Sequence, residues 1–304
     1  MPALLGAKKL AQSTDSVSQI THGGPFSPLR WLSGHGLTIN TYSAVWEQDN
    51  RARCFGRVCH PEGELYSRLD YVACVRDSSA GDLTCLLEAL IQVSGVWGAR
   101  YLLADLPESS DYLPAFRRAD FSVWSQTRVY RWTGDFGKGG RAETLWRLWT
   151  GQDVRAMQAL HRSTVPRLFQ AIEPLSRKQA QGLAACDPQG RLLAFADLAY
   201  GPAGIYIQPM LDPAADHAAL LLALVQAVPN RLGRQLYISA RSYQPLLVEA
   251  LERLPFSLEQ ELALMVRHLA LKDKFPALAR QPVYKGEKTE GSVPVIQSHR
   301  NGAK

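Results

Sequence analysis

The spacing of apolar and polar positions predicts a strand meander, a long helix and a closing strand in the first half of the chain. Alternation predicts strands over LTINTYSAVW and RCFGRVC, and ELYSRLDYVACV continues them. The stretch AGDLTCLLEALIQVSGVWGA has the period of a helix instead. RYLLADLP is then a strand, YLPAFRRA a short helix, and FSVWSQTRVYRW a closing strand or hairpin.

The second half of the chain shows the same order of elements. A strand, TLWRLW, and a helix, DVRAMQALHRS, precede a meander of GLAAC, RLLAFADLAY and GIYIQPML. A helix follows over AADHAALLLALVQAV, with Asp212 as N-cap and Pro213 in its first turn. QLYISA predicts a strand, QPLLVEALERL a helix, and FSLEQELALMVRHLAL the closing strands.

One short phrase occurs in both halves. CHPEGEL, at Cys59 to Leu65, and CDPQGRL, at Cys186 to Leu192, share the pattern Cys-x-Pro-x-Gly-x-Leu. Each phrase reads as a hairpin turn, in which proline fixes φ and glycine allows a positive φ. Two similar turns could coincide by chance, but the matching order of elements around them favours an internal duplication.

These patterns divide the chain into two α/β domains with a mixed sheet in each. We expect a first domain at 26–135, a Gly-rich linker at 136–142 and a second domain at 143–271. The ends, 1–25 and 272–304, show no apolar period, and both are predicted to be disordered tails.

Composition is that of a globular protein, with 46% hydrophobic and 20% charged residues. No apolar run reaches the roughly 18 residues that a membrane helix needs, and the first residues lack the core of a secretory signal. The five cysteines form no Cys-x-x-Cys pair and the histidines are scattered. We therefore expect a cytoplasmic protein with buried free thiols, no metal site and no membrane partner.

The net charge of +6 suggests nucleic acid as a partner only until the charge is located. The surplus of lysine and arginine lies in the two predicted tails, and the body of the chain is close to neutral. A nucleic-acid-binding domain would carry the charge on a folded face. We expect solubilising tails, with an anion- or nucleic-acid-associated role ranked last. The oligomeric state is left open.

The stretch from Leu86 to Trp132, LLEALIQVSGVWGARYLLADLPESSDYLPAFRRADFSVWSQTRVYRW, resembles the GNAT acyltransferase superfamily. The second half shows a similar stretch, LLALVQAVPNRLGRQLYISARSYQPLLVEALERLPF. The resemblance implies two tandem GNAT-like acyl-CoA N-acyltransferase domains. It also implies acetyl-CoA or another acyl-CoA as the cofactor.

In that superfamily, the loop before the long helix directs backbone N–H groups at the pyrophosphate of acyl-CoA. The matching stretch of the first half is RDSSAG, Arg76 to Gly81. The resemblance thus makes these residues cofactor-binding candidates: Val75, Arg76, Ser78, Ser79, Ala80, Gly81 and Asp82. The alternative for this loop is an N-capped helix without a ligand. The matching stretch of the second half, MLDPAA, has no cation, and Pro213 has no N–H, so we expect no cofactor there.

The catalytic residues cannot be assigned from the resemblance. The tyrosine that serves as general acid in the superfamily is matched by Phe116 and Leu251, which carry no proton to donate. Tyr112, Tyr130 or solvent could serve instead. Two hypotheses remain open. One is an acyl-CoA-dependent N-acyltransferase acting on an unknown amine, with acyl-CoA at the first-domain loop. The other is a non-catalytic, duplicated fold that binds a ligand or a protein, so the sequence does not decide whether the chain is an enzyme.

Overall fold

A computed structural model of the chain describes residues 11–24, 39–135, 146–173, 175, 182–269 and 295–297. The elements of the first half are β1 (Ala11–Ser13), α1 (Ser16–His22), β2 (Ile39–Gln48), β3 (Arg51–Pro61), β4 (Tyr66–Cys74), α2 (Ala80–Val96), β5 (Tyr101–Pro107), α3 (Leu113–Arg118) and β6 (Ser122–Trp132). Those of the second half are β7 (Trp146–Leu148), α4 (Val154–Thr164), α5 (Arg167–Gln170), β8 (Gly182–Cys186), β9 (Leu192–Tyr200), β10 (Gly204–Leu211), α6 (His217–Ala227), β11 (Gln235–Arg241), α7 (Pro245–Arg253) and β12 (Phe256–His268), followed by β13 (Val295–Gln297).

The predicted mixed α/β fold with two similar halves is confirmed. In the first half, three antiparallel strands (β2, β3, β4) lead to α2, β5, α3 and β6. In the second half, β8, β9 and β10 lead to α6, β11, α7 and β12. The turn glycines of the two repeated phrases, Gly63 and Gly190, have φ values of 79° and 82°, as the pattern predicts.

All the described strands join one sheet, and the two halves exchange their closing strands. The order is β13-β2-β3-β4-β5-β12-β6-β11-β10-β9-β8-β7, with β1 pairing against β4. Strand β12 of the second half thus completes the sheet of the first half, and β6 of the first half completes that of the second. The halves are therefore interlocked through the antiparallel pair of β6 and β12.

The packing of the hydrophobic cores follows from this exchange. The core under α2 contains Ala263 and Met265 of β12, although those residues come from the second half of the chain. The core under α6 and α7 contains Tyr130 and Trp132 of β6. Each half therefore buries apolar surface of the other, and neither closes its core with its own last strand.

Within each half, two neighbouring parallel strands pair only at their first residues. Tyr66–Arg68 of β4 pair with Tyr101–Leu103 of β5, and beyond Arg68 this edge of β4 turns to another partner. Gly204–Ile207 of β10 pair with Gln235–Ile238 of β11, where their described pairing ends. We call the gap between β4 and β5 the first groove, and the gap between β10 and β11 the second groove.

Parts of the predicted tails are ordered. The expectation of a disordered N-terminal segment is wrong for residues 11–24, where β1 and α1 form. The segment lacks an apolar period because α1 has few core contacts, but Asp15 caps it and Gly23 ends it in the left-handed region. In the C-terminal segment, Val295–Gln297 pair with β2. The predicted linker at 136–142 and the rest of that segment lie outside the described residues.

The expectation of free thiols is wrong for one pair of cysteines. Cys54 of β3 and Cys74 of β4 stand opposite each other in the sheet and form a disulfide. Cys59, Cys85 and Cys186 are free. Cross-strand proximity of this kind depends on the register of the pairing, which cysteine spacing alone does not give. Among the described helices, none is both long and apolar enough to cross a membrane.

Candidate functional site

The predicted cofactor loop connects β4 to α2, and hydrogen bonds tie it back to strand β3. The Val75 N–H donates to the carbonyl oxygen of Arg53 at 2.8 Å, and the Ser78 hydroxyl donates to the same oxygen at 2.7 Å. The Ser78 N–H donates to the Val75 carbonyl at 3.0 Å. These N–H groups therefore already have partners within the loop and its neighbouring strand.

A capping box occupies the N-terminus of α2. The Ser79 N–H donates to Asp82 Oδ2 at 2.7 Å, and the Asp82 N–H donates to Ser79 Oγ at 3.1 Å. Trp46 Nε1 also donates to Asp82 Oδ1 at 3.1 Å. Burial raises the pKa of Asp82, but the hydrogen bonds from Ser79 and Trp46 outweigh it and lower the pKa overall. A carboxylate of this chain thus stands where a bound anion would meet the helix.

The structure brings the seven predicted cofactor residues together at one helix N-terminus. Arg76, Ala80 and Gly81 are exposed there, whereas Asp82 is buried. The main-chain donors of Ser78, Ser79 and Asp82 are satisfied internally. The loop has the form of the N-capped helix that the sequence left as an alternative.

The first groove is filled by the chain itself. We call residues 11–22, comprising β1 and α1, the N-terminal strap. Strand β1 pairs antiparallel with β4, placing Ala11–Ser13 opposite Tyr71–Ala73. Thr14 then bridges the two diverging strands: its N–H donates to the Asp70 carbonyl at 3.1 Å, and its carbonyl accepts from the Asp105 N–H at 2.9 Å.

Side chains anchor the strap to the floor of the first groove. The Ser16 hydroxyl donates to Asp105 Oδ2 at 2.7 Å, and the Ser16 N–H donates to the same atom at 3.2 Å. Arg68 pairs with that carboxylate at 3.2 Å. The Ser110 hydroxyl donates to Gln12 Oε1 at 2.6 Å. The strap is thus fixed by polar contacts to β4, β5 and the loop after β5.

Helix α1 of the strap lies on the other half of the sheet. Ile20 is buried beside Val129, Tyr206 and Leu262. The Thr21 carbonyl accepts from the Ala203 N–H at 2.9 Å in the turn between β9 and β10. The strap therefore crosses from the first groove to the second half of the molecule.

The second groove is closed in a different way. Gln244, just before α7, donates from Nε2 to the Pro209 carbonyl at 3.3 Å and accepts from the Arg241 N–H at 3.0 Å. One side chain thereby spans the gap between β10 and β11. Pro209 offers no N–H donor at its place in this gap.

The helix beyond the second groove also caps itself. The prediction that Asp212 is its N-cap is wrong, because α6 begins at His217 and Asp216 accepts from the Ala219 N–H at 3.1 Å. Asp212 forms a turn instead, accepting from the Ala214 N–H at 2.9 Å. The carboxylate of Asp216 takes the anion position at this helix, so the geometry offers no better phosphate site than the first loop.

A cavity of about 320 Å³ lies where the two grooves begin, on the face of the sheet that carries α1 and α4. Arg68, the last residue of β4 to pair with β5, and Gln208, just past the pairing of β10 with β11, both line it. We call it the central cavity. Its charged wall comes from both halves: Asp15, Arg68, Asp70, Glu173, Asp197 and Arg241.

Both arginines of the central cavity are held by carboxylates of this chain. Arg241 Nη2 lies 2.7 Å from Glu173 Oε1, and Arg241 also donates to Thr127 Oγ1. The Tyr243 hydroxyl donates to Glu173 Oε2 at 2.6 Å. Burial, and after it the charge of Glu173, raises the pKa of Tyr243. The cluster of Glu173, Arg241 and Tyr243 is therefore a fixed partition rather than a source of free charge.

Asp197 is the exception in the central cavity. It lies in the middle of β9, opposite Gln208 of β10. In the part of the chain that the structure describes, no hydrogen bond or ion pair joins its carboxylate to another side chain. Burial raises the pKa of Asp197 to about 6. A carboxylate that is partly desolvated, unpaired and aimed into a cavity is typical of a functional position.

Sequence reasoning missed Asp197. The signal that could have found it is a charged residue within the apolar strand RLLAFADLAY. Its neighbours Ala196 and Leu198 belong to the core under α6, so alternation places Asp197 on the opposite face.

The tyrosines considered as proton donors lie away from the central cavity's charged wall. The Tyr112 hydroxyl accepts from the Cys74 N–H at 3.4 Å, and burial raises the pKa of Tyr112. The Tyr130 hydroxyl contacts Glu252 Oε1 at 3.3 Å. Phe116 and Leu251 are fully buried core residues, which agrees with their lack of a proton to donate.

The sequence matches no model of a known protein family, and no curated protein matches it either. Solved structures do share its fold. A GCN5-related N-acetyltransferase from Sphaerobacter thermophilus superposes with a TM-score of 0.53 at 15% identity, over 85% of this chain and 95% of that chain. A tandem GNAT protein from the clavulanic acid biosynthesis pathway superposes with a TM-score of 0.50 at 13% identity, over 83% of this chain and 93% of that chain.

The likeness extends over both halves, which agrees with the repeated order of elements and with the shared sheet. The chain therefore has the fold of the GNAT superfamily of acyltransferases, arranged as two GNAT-like domains in tandem.

Proposed function

We propose that this chain is a ligand-binding protein on a duplicated acetyltransferase fold, and that its ligand is a small amine held in the central cavity by Asp197. The single observation that carries the proposal is the unpaired carboxylate of Asp197 on the wall of that cavity. An ammonium group supplies the partner that the described residues do not provide.

The charges around the central cavity favour a cation over an anion. Arg68 is compensated by Asp105 and Arg241 by Glu173, so neither is free to receive an anion. Asp15 and Asp197 face the same space without a pairing cation. A cavity of about 320 Å³ is at the lower end of the range for small-molecule sites, which suits a compact amine.

The state of both grooves supports binding without acyl transfer. Strand β1 and Thr14 occupy the first groove, and Gln244 bridges the second. Asp82 and Asp216 cap the helices at which a pyrophosphate would bind. An acyl-CoA molecule would have to displace these groups of the chain before it could deliver an acyl group.

The second candidate function is an acyl-CoA-dependent N-acyltransferase that acts on the same amine. The fold and the position of the central cavity at the start of both grooves favour it. A carboxylate with a pKa of about 6 can accept the proton that an ammonium must lose before it attacks a thioester. In this candidate, acetyl-CoA or another acyl-CoA would lie at residues 75–82, and the N-terminal strap would have to leave the first groove.

Calorimetric titration with chemically matched probes tests the binding proposal. Tyramine and histamine carry an ammonium group, whereas 4-ethylphenol has the shape of tyramine without the charge. We expect the amines to bind and the phenol to bind at least tenfold more weakly, since a hydrogen bond to a charged group contributes about 1.5–3 kcal/mol. Equal binding of tyramine and 4-ethylphenol would rule out a role for the carboxylate.

Two variants separate the site from general charge effects. Asp197→Asn keeps the shape of the side chain and removes its charge, so amine affinity should fall at least tenfold. Asp187→Asn, in the turn between β8 and β9, is the matched control and should leave affinity unchanged. Mass spectrometry of the amine after incubation with acetyl-CoA distinguishes the two candidates, because only the acyltransferase yields an acetylated product.

A further inference from the structure

We propose that the first groove is a binding site for an extended, uncharged peptide segment, and that the N-terminal strap is its resident competitor. The proposal does not depend on the identity of the ligand in the central cavity. It rests on how the strap is held and on how incompletely it satisfies the groove.

The first groove presents main-chain groups in the pattern that an extended peptide matches. Ala11–Ser13 pair with β4 as an antiparallel strand, and Thr14 completes the ladder with one bond to β4 and one to β5. Four residues in extended form therefore bridge a gap between two strands that have diverged. Main-chain bonds of this kind are the basis of recognition by strand addition.

Side-chain preferences of the site can be read from the strap. Thr14 is fully buried, so the ligand needs a small residue at that position. Gln12 accepts from Ser110, and Ser16 donates to Asp105. The strap stretch from Ala11 to Thr14 carries no charge. A neutral segment with small polar residues at alternate positions therefore fits the groove.

The strap leaves buried polar atoms without partners. Thr14 Oγ1 and Asp105 Oδ1 are buried and make no hydrogen bond in the described structure. Asp105 itself is 2% exposed, so its free oxygen cannot turn to bulk water. Each such atom makes docking of the strap less favourable. A peptide that donates to Asp105 Oδ1 would hold this groove more tightly than the strap does.

The cap at α2 favours a peptide over a cofactor with a diphosphate. The carboxylate of Asp82 already accepts from the Ser79 N–H, so an anion at that helix would meet a negative charge. A neutral peptide confined to the β4 and β5 edges does not approach it. Binding of acetyl-CoA in place of the peptide is therefore an outcome that contradicts the proposal.

Hydrogen exchange of the wild-type chain is the first test. If the strap is a competitor that can leave, the Thr14 amide should exchange through a local opening, at least tenfold faster than the buried Val129 amide of β6. If Thr14 exchanges only with global unfolding, the strap is an integral strand and the proposal fails.

Peptide binding to a weakened strap is the second test. The full chain with Ser16→Ala and Ile20→Ala loses two anchors of the strap, and Ser18→Ala on the same helix is the matched control. A labelled peptide of residues 11–22 should bind the double variant at least tenfold more tightly than it binds the wild type or the control. The tethered strap acts at an effective concentration of roughly millimolar, which it loses when it is weakened.

The peptide with Thr14→Pro lacks the N–H that donates to Asp70, and it should not bind the double variant. Equal binding of both peptides, or binding of neither while Thr14 exchanges rapidly in the double variant, would overturn the proposal. Competition of acetyl-CoA with the labelled peptide would identify the groove as a cofactor site instead.

Discussion

The two grooves start from the same geometry and are closed by different means. In each half, two parallel strands pair over a few residues and then diverge, which leaves main-chain donors and acceptors along both edges. The first groove receives a strand, β1, from elsewhere in the chain. The second receives one side chain, Gln244, and has a proline where a donor would otherwise stand.

This difference shows that the diverging strands impose a requirement that is independent of any cofactor. Buried backbone groups must find partners, and the chain has supplied them twice without an external ligand. What distinguishes the halves is how reversible the closure is. A strap of three paired residues can leave as a unit, whereas Gln244 belongs to the loop that starts α7.

The largest effect is expected from Ile20→Asp, which places a charge in the seat of α1. Ile20 is 8% exposed and lies against Val129, Tyr206 and Leu262. Burying an unpaired charge there should lower the free energy of unfolding by about 3–4 kcal/mol. Chemical denaturation measures it. The control Leu232→Asp, at a side chain that is 88% exposed, should change little. Similar losses in both variants would mean that α1 is not docked as described.

Removal of the disulfide should have the next largest effect. Cys54 and Cys74 join β3 to β4 beside the first groove, with a separation of 20 residues. The double variant Cys54→Ala, Cys74→Ala should lose about 3 kcal/mol of stability, since a disulfide of this loop length mainly restricts the unfolded chain. Cys186→Ala, at a free thiol of the second half, is the control. An unchanged denaturation midpoint in the double variant would contradict the bond.

Asp197→Asn should stabilise the protein at neutral pH. The folded-state pKa of Asp197 is raised to about 6, so the folded chain holds this proton more tightly than the unfolded chain. Stability then falls as the pH rises from about 4 to 6 and is constant above. The asparagine variant avoids that loss, and should gain about 2 kcal/mol at pH 7 and nothing below pH 4. A gain that is the same at every pH would show that the carboxyl group is not the cause.

The smallest effect is expected at the second groove, from Gln244→Ala. The change leaves the Arg241 N–H and the Pro209 carbonyl without their partner. Stability should fall by about 1–2 kcal/mol, because water can enter part of the gap and replace the lost bonds. Gln189→Ala, in an exposed turn, is the control. A loss larger than that of Ile20→Asp would reverse the order of the two closures.

Much of the fold could be predicted from the sequence, because the signals are local. The apolar period over 80–98 marks α2, and the glycines of the repeated phrases mark the two hairpin turns. The exchange of β6 and β12 could not be predicted. Alternation shows which residues of a strand face a core, but it does not show which core they enter.

The candidate site was less predictable for a related reason. The loop at 75–82 was found by resemblance, and the capping of Ser79 by Asp82 was among the alternatives considered for it. The strap was missed because its binding energy comes from main-chain pairing and from Ser16 and Ile20, which form no periodic pattern. Asp197 was missed because its meaning depends on a cavity built from both halves of the chain.

The most direct test of the central claim is the pH dependence of amine affinity in the central cavity. Calorimetric titration of the tightest-binding amine between pH 5 and 8 should give a constant affinity above pH 6 and a fall toward tenfold per unit below it, as Asp197 takes up its proton. The amine itself remains charged throughout, since its pKa is about 10. The Asp197→Asn variant should bind weakly and without this pH dependence. An affinity that is independent of pH in the wild type, or unchanged in the variant, would contradict the account.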